Sequence, residues 1–282
     1  MIPVSIGGSK ALLIDTPGFD DSNRTDSEIL TEIARILSAQ YAVGVQLKGI
    51  IYIHRITDVR YNRSAVKTFE IFKKICGHEA LENVLLVTSR WDGIDEVRGA
   101  DRERQLKEKF WAYMVDRGSN ICRFYGDRDS AISLVSQLLV RDKVVLQLQK
   151  ELIDEGKDLN ATVAGSYVED NLEMLKRQVK EELASIERLK GDLLESDRAM
   201  KRQARLDWEQ ESARLGALLN QQASLQCPVG TEVYEEIQQK TSKLAKIFYS
   251  IPDAINILLT FCGIPSDITD FFAEWMADFQ SS

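Results

Sequence analysis

Hydrophobic and polar positions divide the chain into two regimes. Up to about residue 142, short apolar runs alternate with amphipathic stretches; beyond it only helical periodicity remains. Residues 4–6 and 11–14 are β-prone and flank Gly7-Gly8-Ser9-Lys10, which predicts a hairpin with a Gly-Gly turn. A polar loop, Asp20 to Thr25, leads to a helix predicted over Asp26 to Tyr41. There Ile29, Leu30, Ile33, Ile36 and Leu37 recur at helical spacing, with Asp26 or Ser27 as the cap. The continuous apolar run Gly49 to Ile56 predicts a central strand covered on both faces. Ser64 to Cys76 predicts an amphipathic helix with Val66, Phe69, Phe72 and Ile75 inward, closed by Gly77. Asn83 to Thr88 predicts a third buried strand. A charged helix is expected from about Asp101 to Arg117, with Leu106, Phe110, Trp111 and Met114 on one face. Cys122 to Tyr125 is a short strand candidate, and Asp127 to Leu139 holds a turn and another helix.

Strands alternating with helices predict an α/β fold: a parallel sheet with right-handed crossovers and flanking helices. From about Lys143 the strand signals vanish. Val168, Leu172, Leu175, Val179, Ile186, Leu189, Leu193 and Met200 follow a 3-4 spacing, interrupted by Glu182 and Ser196. That is roughly four and a half heptads of coiled-coil-like helix. Such a helix either pairs with a partner or a second copy, or folds back on the α/β domain; the spacing leaves both open. Leu206, Trp208, Leu215, Leu218 and Leu219 keep some amphipathicity before Pro228 and Gly230 break the helix. A last apolar, helical module covers Thr231 to Ser250 and Ile251 to Phe279. Its Phe271, Phe272, Trp275 and Phe279 read as core. Three parts are expected: 1–142, 143–225 and 226–282.

Composition narrows the function classes. The 282 residues are 44% hydrophobic and 28% charged, with net charge −8, so no global basic field points to nucleic acid. Cys76, Cys122, Cys227 and Cys262 are far apart, with only His54 and His78 to assist them, which argues against zinc and for reduced thiols in the cytoplasm. No secretory signal is read at the start. The apolar stretch Ile247 to Pro265 is interrupted by Pro252, Asp253 and Asn256. It reads as a buried or partner-facing helix, and no membrane contact is expected.

The candidate chemistry lies at strand ends. In Ala11 to Asp21 an apolar run ends in Asp15, followed by Thr16-Pro17-Gly18. A buried strand thereby delivers a carboxylate and a flexible backbone to one sheet edge, where α/β proteins place phosphate and magnesium. Asp15 can hold Mg²⁺ through water, and Gly18 lets its N–H approach a phosphate oxygen. The plain alternative is a strand stopping at an ordinary Pro-Gly turn. The next two strands end in His54-Arg55-Ile56-Thr57-Asp58 and Thr88-Ser89-Arg90-Trp91-Asp92.

That series over residues 1–142 resembles P-loop GTPases of the septin and immunity-associated group, closest to fungal G domain-containing proteins. Glu108-Lys109-Phe110-Trp111 fits the same set. The resemblance implies a partial P-loop GTPase-like fold that binds GTP or GDP with Mg²⁺. Asp15, Thr16 and Gly18 would form the third GTPase motif, with Asp15 supporting the metal and the Gly18 N–H meeting the γ-phosphate. Loss of that phosphate would release the following loop. Ser89, Arg90 and Asp92 would occupy the guanine-specifying motif. The Asp92 carboxylate would accept from guanine N1–H and N2–H₂, with Arg90 along the base in place of lysine. Ser130 and Ala131 would offer backbone contacts to the base. On the residues alone, Trp91 could simply pack the strand end and Asp92 cap the next turn. His54 and Arg55 read as a structural pair in preference to a catalytic one.

The loop G-x-x-x-x-G-K-[S/T] should precede the Asp15 strand. Gly7-Gly8-Ser9-Lys10 has the wrong spacing, and a strand follows it where a helix should. The P-loop lysine and the Ser/Thr magnesium ligand are therefore missing, and they supply much of the hold on the β- and γ-phosphates. The opening Met-Ile-Pro-Val-Ser-Ile reads as the middle of a domain, so the natural product is expected to be longer. Two functions follow: a guanine-nucleotide-binding protein with weak or absent hydrolysis, or a non-enzymatic helical scaffold that uses a degenerate G domain and its heptads to bind a helical partner or itself.

Overall fold

The computed structural model describes residues 1–261 apart from 20, 22, 59–60, 194–196 and 242–250. Strands β1 (Ile2–Ile6) and β2 (Ser9–Leu13) form an antiparallel hairpin with Ile6 opposite Ser9. Gly7 (φ 56°) and Gly8 (φ 83°) both take the left-handed conformation, as a two-residue primed turn requires. Lys10 is therefore a strand residue opposite Ser5, not part of a phosphate loop.

Helix α1 (Asp26–Ala42) is capped by Thr25, one residue earlier than expected. Thr25 is extended (φ −84°, ψ 154°), its hydroxyl accepts from Glu28 N, and the Glu28 carboxylate accepts from Thr25 N at 2.8 Å. This reciprocal box satisfies two donors that the first helical turn leaves open. Next come β3 (Ile50–Arg55), α2 (Arg63–Cys76), β4 (Val84–Ser89) and α3 (Glu96–Gln105). A π-helical turn (Leu106–Phe110), α4 (Ala112–Val115), β5 (Asn120–Arg123) and α5 (Arg128–Leu139) follow. Gly77 closes α2 with φ 73° and donates its N–H to Lys73 O, as its position predicts.

The parallel sheet has the order β3-β4-β5. All six residues of β4 are buried, so β4 is the central strand. The expectation for β3 is corrected: it lies at the edge of this sheet, and Ile53 is 59% exposed. Among the described residues the β1–β2 hairpin is a separate sheet and does not extend the parallel one. An apolar run reports that a strand is covered; it does not count the neighbours on its edges. The helix expected over 101–117 is also corrected. It begins at Glu96, capped by Asp95, and passes into the π turn before Trp111. Leu106, Trp111 and Met114 are buried as expected, whereas Phe110 remains 36% exposed and stacks on Tyr61.

The C-terminal half holds α6 (Gln147–Gln149), a second π turn (Lys150–Asp154), α7 (Val163–Asp192), α8 (Arg198–Leu225), α9 (Val229–Thr241) and α10 (Ile251–Phe261). The heptad run is not one helix to Met200, because α7 ends at Asp192 and α8 starts at Arg198. The two run antiparallel: Lys176 meets Gln222 at 2.5 Å, Glu182 faces Arg214 at 3.6 Å, and Lys190 lies over Trp208. Apolar residues at heptad spacing thus meet a helix of the same chain. Val168, Leu172 and Val179 are buried; farther along, Leu189 and Met200 are exposed.

One hydrophobic cluster links Ile29 and Leu30 of α1, Phe69 and Phe72 of α2, Leu86 of β4, Trp111, Leu172 of α7, Leu218 of α8, Val233 of α9 and Leu258 of α10. Each large apolar side chain buried there contributes about 1.5–3 kcal/mol. Among the described residues no helix is long and apolar enough to cross a membrane. Cys76, Cys122 and Cys227 are free thiols. Cys262 and the aromatic run at Phe271, Phe272, Trp275 and Phe279 lie outside the described residues.

Candidate functional site

The carboxyl ends of β3, β4 and β5 meet at one edge, and the loops after β3 and β4 touch. A Cβ on Gly93 would come within 2.9 Å of Thr57 Cγ2. The Ser89 hydroxyl donates to His54 O at 3.4 Å, and Ile56 N donates to Ser89 O at 2.9 Å. Ser89 is buried and committed to the sheet, so its hydroxyl serves β3 rather than open space.

Arg90 follows with φ 63° and ψ 41°, the one non-glycine residue with positive φ among the described residues. A left-handed conformation in a side-chain-bearing residue costs about 1–3 kcal/mol and persists where the surroundings impose it. Here Trp91 imposes it. Its indole is buried, and Nε1 donates to Thr88 O and Thr88 Oγ1, both at 3.2 Å. Gly99 lies so close beneath the ring that a Cβ would stand 2.6 Å from it. With Trp91 turned inward, Arg90 and Asp92 are turned to solvent.

The two plain readings of this turn separate. Trp91 does pack the strand end. Asp92 does not cap the following helix, because Asp95 does, accepting from Arg98 N at 3.0 Å. Among the described residues Asp92 makes no hydrogen bond or ion pair, so a carboxylate stands uncommitted at the end of the central strand.

Arg123, at the end of β5, sets the floor. Its guanidinium lies 3.9 Å from the centroid of the Trp91 ring. Two of its nitrogens reach Glu103 at 2.7–3.2 Å, and Nη1 reaches Glu96 at 2.7 Å. The Glu103 carboxylate, above all, then Glu96 and the Tyr125 hydroxyl, keep its charge against the opposing effect of burial. Beside it Tyr125 exposes an aromatic face 6.4 Å from the Trp91 ring, centroid to centroid. The turn thus sets an inward Trp91, packed against Arg123 and Tyr125, next in sequence to a solvent-facing carboxylate.

Ser130 and Ala131 begin α5 next to Tyr125, but their N–H groups are in use. Ser130 N donates to Asp127 Oδ1 at 2.7 Å, and Ala131 N donates to Asp127 O at 3.2 Å. The Ser130 N–H, first among several donors, holds the Asp127 carboxyl below its usual pKa. Tyr125 N donates to Ser130 Oγ. These two residues shape the turn and offer no spare backbone donor.

Asp15, Thr16 and Gly18 are exposed in the loop after β2. Among the described residues Asp15 takes no hydrogen bond or ion pair, and no backbone pairing joins its hairpin to the parallel sheet. Its free carboxylate suits an outer-sphere Mg²⁺ ligand. Among the described residues no group of three or more His, Cys, Asp or Glu side chains converges as a protein-only metal cage. Mg²⁺ at a phosphate is held mainly by water and phosphate oxygens, with one or two carboxylates, so such a cage is not what it demands. In the base half of the expected site, Trp91 packs against Arg123 and Tyr125, while Arg90 and Asp92 face solvent on either side of it in sequence. The expected phosphate half, Asp15 and the Gly18 backbone, lies in the loop that follows the separate β1–β2 hairpin.

Sequence reasoning missed Arg123 and Tyr125. A charged residue inside the short strand Cys122-Arg123-Phe124-Tyr125 was the available signal, since a half-buried arginine needs a carboxylate partner. No family model matches the chain, and no curated relative matches it.

Proposed function

We propose that this chain is a guanine-nucleotide-binding protein of the P-loop GTPase kind. Its recognition of the base rests on Asp92 and Arg90, and its hold on the phosphates is weakened. The observation that carries the reading is Asp92: an exposed carboxylate with no partner among the described residues, on a turn fixed by the buried Trp91. Guanine offers N1–H and N2–H₂ to such a group, and adenine does not. Arg90, two residues before it, offers a planar guanidinium to lie along the base. Hydrolysis is expected to be weak or absent, because the chain has no G-x-x-x-x-G-K-[S/T] loop to hold the β- and γ-phosphates.

The test is binding of a fluorescent GTP analogue to the 282-residue chain with Mg²⁺. Saturable binding displaced by GTP but not by ATP, and lost in Asp92→Ala, is expected. A folded chain that binds neither nucleotide contradicts the reading.

A second reading rests on a different observation. The distal part of the α7–α8 pair leaves Leu189, Met200 and Leu206 about half exposed. A helical scaffold would use them against another helix, and this predicts an oligomer whose mass does not respond to nucleotide.

A further inference from the structure

A pocket that Asp92 does not line opens at the carboxyl end of β3, on the same sheet edge. It is a half-enclosed cavity of about 40 Å³ lined by His54, Asp58, Tyr61, Arg102, Gln105 and Phe110, with Ile56 and Leu106 as floor. The floor is fully apolar: Ile56 and Leu106 are both buried. One wall is aromatic, because the Tyr61 and Phe110 rings stack at 4.2 Å and His54 stands 5.4 Å from Tyr61. Leu106 and Phe110 bound the π-helical turn that interrupts the α3 crossover. Single π turns inside helices occur frequently at functional sites, because they re-aim side chains.

The charge balance of the pocket selects its ligand. Asp58 pairs with Arg55 (Nε to Oδ1, 3.5 Å), so these two charges offset one another. Arg102 donates Nη1 to Ile56 O at 2.9 Å, which pins the guanidinium at the rim. Among the described residues no carboxylate forms an ion pair with it, and its remaining N–H groups are unspent. Burial disfavours the charged form of His54, leaving the ring neutral at pH 7. Of the two charged lining residues, Asp58 is thus engaged by Arg55 from outside the pocket, whereas Arg102, above an apolar floor, has no carboxylate partner among the described residues.

We propose that this pocket binds the carboxylate of a small monoanionic acid, with Arg102 holding the carboxylate and Ile56 and Leu106 receiving a tail of one or two carbons. A single negative charge matches Arg102, and its two oxygens match the planar fork of a guanidinium. A doubly charged phosphate would leave one charge unpaired against Ile56, Leu106 and the Tyr61 ring, which is costly. By this measure a water needs roughly 10–15 Å³, so the cavity takes about three heavy groups: the short tail and the carboxylate carbon, with the two oxygens outside it at the Arg102 rim. The carboxylate has two sources, a free short-chain acid or the glutamate side chain of a partner.

The chain has two histidines, which gives a direct probe. His54 lines the pocket, whereas His78 lies outside it, its Nδ1 2.7 Å from Tyr113 Oη. Histidine-labelled full-length chain is titrated with sodium propionate at fixed ionic strength and pH 7.5, with propionamide as the neutral isostere. Imidazole resonances are followed by NMR. A saturable shift of His54 alone is expected, with no response to propionamide. Arg102→Gln is expected to weaken binding about tenfold or more. Arg102 also braces Ile56 O, so the exposed rim variant Gln105→Trp, which covers the mouth and leaves Arg102 in place, is the second arm and is expected to abolish the shift. No saturable His54 shift, an equal shift with propionamide, or unchanged binding in either variant overturns the proposal. A glutamate blocked at both termini separates the sources: tighter binding than propionate assigns the site to a partner's side chain, and weaker binding assigns it to a free acid.

Discussion

The guanidinium of Arg123 lies 3.9 Å from the centroid of the Trp91 ring, and Glu103 holds it there through two of its nitrogens. This contact ties the end of β5 to the turn after β4, and so fixes the backbone that carries Asp92. Arg123→Ala removes the bonds to Glu103 and Glu96 and uncovers the indole. Hydrogen bonds to charged groups contribute about 1.5–3 kcal/mol, so a loss near 2 kcal/mol is expected in urea denaturation. Arg123→Lys keeps the charge but not the fork, and is expected to recover less than half.

His54 makes stability depend on pH in a defined direction. Burial, outweighing the attraction of Asp58, sets its folded pKa below the usual value near 6.5. The unfolded chain therefore binds the proton more readily. The His54 contribution is fully present above pH 6.5 and is lost as pH falls below it. Denaturation midpoints at pH 7.5 and 5.5 check this. The wild type is expected to lose stability at pH 5.5, and His54→Asn to lose less. Glu28, Asp95 and Asp127, whose pKa values are lowered, titrate well below that window.

Lys176 and Gln222 set the register of α7 against α8. The almost fully buried Lys176 donates to Glu173 at 2.7 Å and to Gln222 at 2.5 Å, and Gln222 Nε2 donates to Glu169 and Glu173. Lys176→Met alone strands Gln222 Oε1 and is expected to cost about 1–2 kcal/mol. The double variant Lys176→Met, Gln222→Leu removes the polar pair together and is expected to recover most of that loss. Thermal unfolding of the two single variants and the double variant measures the coupling.

Glu151 anchors the base of the same arm. Its carboxylate is 1% exposed, accepts from Val163 N at the start of α7, and pairs with Lys157 Nζ at 3.2 Å. A buried acid at a helix N-terminus is favoured by the unpaired N–H groups there. Glu151→Ala leaves those donors and Lys157 without it, with an expected loss of about 3 kcal/mol. Hydrogen exchange at Val163 to Ser166 should rise in this variant while β4 stays protected; equal loosening of both would refute a local anchor.

Much of this architecture is written in local patterns. The Gly7-Gly8 turn, the amphipathic stripes of α1 and α2, the Gly77 cap and the apolar β4 run all act through neighbours close in sequence, so periodicity and turn chemistry reveal them. What escaped the sequence depends on contacts between distant residues. The edge position of β3 depends on which strands lie beside it, which an apolar run does not encode. The break between Asp192 and Arg198 interrupts a heptad pattern that looks equally good for a partner helix or for α8. The π turn at Leu106–Phe110 and the left-handed Arg90 are imposed by packing around Trp111 and Trp91, two large rings whose pockets are built from several elements. At the candidate site, Asp92 stood out as a strand-end carboxylate, whereas its freedom became visible only once Asp95 was found to be the helix cap.

The central claim is that Asp92 reads a guanine edge, and exchanging its hydrogen-bonding sense tests it most directly. Asp92→Asn turns one acceptor oxygen into a donor. Guanine then meets a donor facing its N2–H₂, whereas xanthine, with a carbonyl at that position, gains a match. Affinities of GTP and XTP for the wild type and Asp92→Asn are measured by competition against a fluorescent analogue with Mg²⁺. The account predicts that the wild type prefers GTP and that Asp92→Asn reverses the preference, by about tenfold or more in each direction. Binding by both proteins with the same preference for GTP over XTP would contradict it.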